Sequence, residues 1–294
     1  MTKNLIYLLV FAFGFTFVSC NKDNGNDNEG DSGVTVNTLS AKWEISDSNS
    51  PYASFEFNKD GNYIVVRNVE TNLRSSSVIS KVSLLKNNSL KAAKTRSSES
   101  ENLSPVLFGT YRIEGNKIIL SGFGVIEVIS ITSEKLSFSF TLESTGEKIS
   151  FVAEKSEEPI SSSSRTDMLC RTWNFDRLTI DFDSFSQEDI DDYKEEYGEN
   201  WKNKLEQREK EYMQGLTVLF SRAGTYLVSY GGERAGETGL AEWKWANSQE
   251  TKLYYSWDNW EYDWKDNIVT ITDLKSTSLA IQEEVVTWYF RLNK

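Results

Sequence analysis

Histidine is absent from the 294 residues. That removes Ser-His and Cys-His nucleophilic catalysis, histidine-bearing zinc sites and histidine proton shuttles together. Cysteine occurs only as Cys20 and Cys170, too few for a disulfide framework. Cationic side chains are outnumbered, 32 against 44 acids, for a net charge of −12. Such a chain repels phosphate backbones, so nucleic acid is not an expected partner. Only three prolines accompany 13% aromatic residues, including nine Trp. That balance suits strand-rich domains with aromatic cores.

Long hydrophobic runs are missing too, apart from an uncharged stretch over residues 5–18. It is shorter than the roughly 20 residues a spanning helix needs. With Lys3 before it and Ser19-Cys20 after it, the stretch reads as a secretory signal over 1–19. Val18-Ser19-Cys20 resembles a lipobox, with Phe17 where Leu is usual. The resemblance implies that Cys20 is alkylated by diacylglycerol and becomes the anchored first residue. Several acyl chains hold a protein at a membrane where one holds only marginally. Residues 20–35 are acidic, amide-rich and nearly free of apolar side chains, and read as a flexible tether. Their spacing fails the calcium-loop pattern, so no metal is expected there. An acidic stretch after an acylated cysteine resembles the surface-export signal of Bacteroidota lipoproteins, which implies the outer membrane, including its outer face.

The remainder aligns to itself. Leu39-x-x-x-Trp43 answers Leu169-x-x-x-Trp173, and Phe57-x-x-x-Gly61-x-Tyr63-x-Val65 answers Phe220-x-x-x-Gly224-x-Tyr226-x-Val228. Both latter motifs read as strand, glycine-permitted turn, strand. Tyr111-x-Ile113 is answered by Trp243-x-Trp245. Ile126-x-Val128-x-x-Ile131 and Val269-x-Ile271-x-x-Leu274 slip their alternation at the same place, as a bulge would. Closing strands follow at Phe151-Val152-Ala153 and Trp288-Tyr289-Phe290. The ordered set predicts two separable, mainly β domains, 36–155 and 166–294, with a linker over 156–165. Each closes as an antiparallel up-and-down barrel or packs as a barrel-like sandwich. Cys170 is expected as a buried strand residue rather than a nucleophile.

Leu-x-x-x-Trp, Phe-x-x-x-Gly-x-Tyr and Gly109-Thr110-Tyr111-x-Ile113-x-Gly115-Asn116 together resemble the lipocalin-like domains of bacterial lipoproteins. The second copy matches more loosely, with Trp243 in place of the Tyr. The resemblance implies a small β-barrel and carries no catalytic residue.

Two insertions interrupt the repeat. Residues 71–104 are polar and basic and read as a hairpin or loop. Residues 186–214 carry Ile190, Tyr193, Tyr197, Trp201, Leu205 and Tyr212 at helical spacing. Ser186 is positioned to cap this helix, acids crowd its first turns, and Gly198 weakens its middle. It is expected to pack outside the barrel or over one end, with a ligand lid as the sharper reading.

The densest aromatic stretch spans 254–264. Trp260, Tyr262 and Trp264 alternate with Glu261 and Asp263, so in a strand the rings share one face. Those rings are either core or an exposed platform for sugars, whose C–H faces stack on aromatics. Tyr255, Trp257, Trp260 and Trp264 are therefore the candidate ligand-binding residues. Paired carboxylates at Asp258, Glu261 and Asp263 do not amount to a glycosidase pair, and no enzyme activity or cofactor is expected. A small apolar ligand, an extracellular glycan and a purely structural or protein-docking role in the envelope stay open. For the anchor, Cys20→Ala is expected to abolish fatty-acid labelling and leave the precursor, and label retained on the variant would overturn the assignment.

Overall fold

The structure, a computed structural model, describes residues 33–68, 106–257, 260, 265 and 267–292. The signal, Cys20, most of the tether, the insertion 71–104 and Trp264 lie outside the described residues. Residues 32–294 form one compact unit.

The first barrel comprises β1 (Lys42–Ile45), β2 (Tyr52–Phe57), β3 (Asn62–Arg67), β4 (Val106–Glu114), β5 (Lys117–Leu120), β6 (Gly124–Ile131), β7 (Lys135–Leu142) and β8 (Lys148–Lys155). Each strand pairs with the next, and β8 closes antiparallel on β1. The second repeats the plan with β9 (Thr172–Ile180), β10 (Thr217–Phe220), β11 (Thr225–Ser229), β12 (Thr238–Trp245), β13 (Lys252–Ser256), β14 (Ile268–Leu274), β15 (Ser278–Glu283) and β16 (Val286–Leu292). There β16 closes on β9. Both are closed, which decides between barrel and sandwich, and closure leaves no strand edge open.

The repeated motifs have physical reasons. A one-turn helix α1 (Val36–Leu39) precedes the first barrel and α2 (Ser164–Leu169) the second. The Trp43 indole N–H donates to the Leu39 carbonyl and that of Trp173 to the Leu169 carbonyl, each at 2.9 Å. The Leu-x-x-x-Trp spacing thus lets a fully buried indole satisfy a carbonyl at a helix end. Gly61 and Gly224 take φ of +85° and +80° in equivalent hairpins, where a side chain would be strained. The register slips at Val128/Ser130 in one copy and at Ile271/Asp273 in the other. These are the two places where the sequence alternation slips.

Some boundaries differ from expectation. Val34 packs on the first core and Thr35 caps α1, so these two residues, expected in the tether, belong to the first domain. The linker is docked, because apolar Ile160 is buried in the second core and Ser163 caps α2. Cys170 is the C-cap residue of α2 and not part of a strand. The second insertion is a hairpin of two helices, α3 (Gln187–Tyr197) and α4 (Trp201–Tyr212), because Gly198 adopts φ +75° and ends the first. Ser186 caps α3 in a reciprocal box with Asp189. Tyr193 and Trp201 stack at 5.7 Å in a small core with Phe182 and Phe185, and α4 lies against β9.

The barrels share a buried seam. Outward-facing Ile64 and Val106 of the first meet outward-facing Leu219 and Leu227 of the second, flanked by Val66, Phe108 and Leu240. Burying each such side chain contributes about 1.5–3 kcal/mol. Asp60 accepts from both the backbone N–H and the hydroxyl of Thr172 at 2.7 Å, and the Asn62 amide donates to that hydroxyl at 2.8 Å. The seam predicts one cooperative denaturant transition for both barrels. Leu227→Ala should cost about 2–5 kcal/mol, and Leu227→Asp should split the transition in two. A split transition in the wild type would show that the seam does not couple them.

Candidate functional site

The barrel interiors are filled. Tyr52, Phe55, Phe123, Phe138, Phe140 and Phe151 form a connected ring cluster inside the first. Inside the second, an apolar void of about 10 Å³ remains among Phe220, Tyr226, Tyr255 and Trp288. That is space for about one water and not for a lipid or a drug-sized ligand.

The candidate aromatics separate. Tyr255 alternates inward on β13, is 2% exposed, and donates its hydroxyl to the Glu283 carboxylate at 2.7 Å. It belongs to the core and offers no face to an external ligand. Trp257, just past β13, is half-buried at the barrel rim, with its ring 5.9 Å from Tyr226 and 6.2 Å from Tyr255. It lies against Gly239, where a Cβ would come within 2.8 Å of the indole. Trp260 lies in a turn at φ +64° and not in the strand that the alternation implied. Its backbone N–H donates to the Ser256 hydroxyl at 2.9 Å, and the Lys244 ammonium sits 4.0 Å from its ring centroid. Such a cation over an indole is attracted by the ring quadrupole.

Ser256 and Trp257 also line a groove of about 340 Å³ between the two barrels. One wall is the outer face of β1–β3, with Lys42, Glu44, Ala53 and Ser54. The other runs from Gly224 and Thr225 across Leu240 and Glu242 to Ser256 and Trp257. The volume falls in the lower range of small-molecule sites. Its lining includes hydroxyl-bearing and acidic residues and one lysine, Lys42, paired to Glu44 at 3.2 Å. Among the described residues no three carboxylate or thiol groups gather as a metal site.

Beneath the groove lies Glu56, the cross-strand partner of Lys42 and 3% exposed. Thr225 of the second barrel donates its hydroxyl to Glu56 Oε2 at 2.7 Å, while Oε1 is buried with no hydrogen-bond partner. Burial pushes this carboxyl above the ordinary carboxylate range, against the opposing pull of the Ser221 and Thr225 hydroxyls and Lys42.

No protein-family model and no curated protein matches the chain. Among solved structures, it is similar to a DUF4847-family protein from Bacteroides vulgatus, at 12% identity and TM-score 0.28, covering 43% of this chain and 95% of that one. It is also similar to a lipocalin-like protein from Bacteroides uniformis, at 11% identity and TM-score 0.24, covering 43% of this chain and 99% of that one. The architecture itself is given by the strand order and closure described above.

Sequence reasoning missed the groove residues Lys42, Ser54, Thr225 and Glu242 and the Glu56 carboxylate beneath them. Their local signal is faint, since polar residues on the outer face of a barrel strand are ordinary. The run Tyr63-Ile64-Val65-Val66 was the available clue, because a strand apolar on both faces must be covered on both. Burial pushes the Cys170 thiol well up, which disfavours the thiolate at neutral pH. The helical hairpin has its own aromatic core, and its contacts with β9 give no indication of a lid.

The fit of Trp257 against Gly239 makes a prediction. Gly239→Val should displace the indole, changing near-ultraviolet dichroism and fluorescence, whereas the same substitution in a Trp257→Phe background should leave both unchanged. An unaltered spectrum would show that the contact does not hold the ring.

Proposed function

We propose that this chain is a non-enzymatic outer-membrane lipoprotein, anchored through acylated Cys20, that binds an extracellular saccharide in the groove between its barrels. The observation that carries the reading is the composition of that groove. Ser54, Thr225, Ser256, Glu44 and Glu242 line about 340 Å³, with Trp257 at the rim. Trp260 is held beside it through Ser256 and Lys244. Sugars present hydroxyls that exchange hydrogen bonds with such groups and C–H faces that pack on indoles.

The void of about 10 Å³ inside the second barrel supports this reading over an internal apolar ligand. The absence of histidine and the net charge of −12 support a role that is neither enzymatic nor nucleic-acid binding. A docking role in an envelope assembly is the alternative. It is favoured by Ile129 and Val152, 70% and 58% exposed on the first barrel's outer surface.

Affinity electrophoresis of the mature chain, made soluble by Cys20→Ser, against a panel of polysaccharides tests the reading. At least one glycan should retard the wild type. Trp257→Ala should weaken retention about fivefold, the equivalent of a ring contact worth about 1 kcal/mol, with dichroism confirming the fold. Ala53→Arg, on the opposite wall, should block binding as well. A wild type retarded by no glycan, or retention indifferent to both variants, would move the weight to docking.

A further inference from the structure

The buried carboxylate under the groove has a use that ligand contact does not explain. Glu56 alternates outward from its barrel, where an acid would ordinarily meet water. Here the second barrel covers it, and among the described residues its one hydrogen bond comes across the seam from Thr225. A charge at that position is shielded from bulk water by burial, and among the described residues Oε1 has no hydrogen-bond partner.

The surrounding groups do not neutralise such a charge. From β1, Lys42 attracts it, but that ammonium is already paired with Glu44. From the connector, Glu158 repels it, while itself bonded to Arg222 of the β10–β11 turn at 3.2 Å. From the second barrel come the hydroxyls of Ser221 and Thr225, and the Cys170 thiol feels the carboxylate from the end of α2. One hydroxyl at hydrogen-bond distance, a second hydroxyl nearby and a shared lysine are poor exchange for bulk water.

We propose that Glu56 is a proton-operated latch between the barrels: protonated, it lies under Thr225 and the seam stays closed; ionised, it favours parting of the barrels and loss of the groove. Thr225 is both its donor and a groove-lining residue, so the latch and the groove's shape are the same contact. The latch does not require that the groove's occupant be a saccharide.

The direction of the pH effect follows from linkage. Burial raises the carboxyl in the docked state above its value in the parted state. Docking is therefore strongest below the ordinary carboxylate range, where both states are protonated. It weakens as pH rises, because the parted state ionises first, and the loss is complete once pH passes the raised value.

Thiol labelling reads this without any ligand. In Ile64→Cys the thiol is placed in the seam, at a position 1% exposed, so it reacts only when the barrels part. Its rate, divided by that of the same thiol in urea-unfolded chain at each pH and assigned by peptide mass, reports the opening equilibrium. The normalised rate should rise by up to about tenfold per pH unit above the ordinary carboxylate range and then level off. Glu56→Gln in the same background keeps the acceptor for Thr225 and should give a flat profile. Leu227→Cys, on the facing side of the seam, should reproduce both results. A flat wild-type profile, or a slope that persists in Glu56→Gln, would overturn the latch. If glycan retention fails while the labelling slope holds, the saccharide reading falls and the latch stands.

Discussion

The constraint on which the molecule depends is the burial of strands that are apolar on both faces. A closed barrel needs only its inward positions to be apolar, and Tyr63 and Val65, with Tyr226 and Val228, meet that need. Ile64 and Leu227 point the other way and would face water in an isolated barrel. Packing them together removes that exposure and joins the copies into one body. The bonds from Thr172 to Asp60 and from Thr225 to Glu56 then fix how the two surfaces sit, since hydrogen bonds are directional where apolar contact is not.

The groove follows from that packing. Two convex barrels can touch only along a strip, and beside the strip their outer faces diverge. The positions along this margin, Ser54 and Lys42 on one side and Glu242 and Ser256 on the other, are solvent-side residues of their own barrels. Docking turns two ordinary polar surfaces into one concave one. The duplication thereby supplies a concavity that neither barrel, with its filled interior, has alone.

The two copies have also diverged in what they carry. In the first, the Tyr63 and Tyr111 hydroxyls both donate to backbone carbonyls, and the interior is closed by phenylalanine rings. In the second, indoles replace several of these rings. The Trp257 and Trp288 N–H groups are buried without a protein partner, and Glu283 is held inside by Tyr255. Unsatisfied buried donors weaken a core, so the second barrel keeps features that packing alone would not select. Its long insertion between β9 and β10 builds a separate aromatic core instead of adding to the barrel's.

The sequence by itself determined the elements and their order. Alternation placed the inward residues, the repeated Leu-x-x-x-Trp and Phe-x-x-x-Gly-x-Tyr motifs marked equivalent strands, and the matching slips located two of the register shifts, those in β6 and β14, because each depends on neighbours within one strand or hairpin. Ser186 and Gly198 likewise marked a helix start and a break through backbone chemistry local to them. The aromatic stretch misled where it relied on a strand continuing past Ser256, since a turn there gives Trp260 a left-handed backbone. Only the tertiary structure decided that Tyr255 is core and Trp257 is rim, that Ile160 docks the linker, and that Glu56 lies under Thr225. That last pair is separated by more than half the chain and meets across two barrels. Which outward faces become a seam depends on how two closed surfaces fit, and no periodicity within either one encodes it.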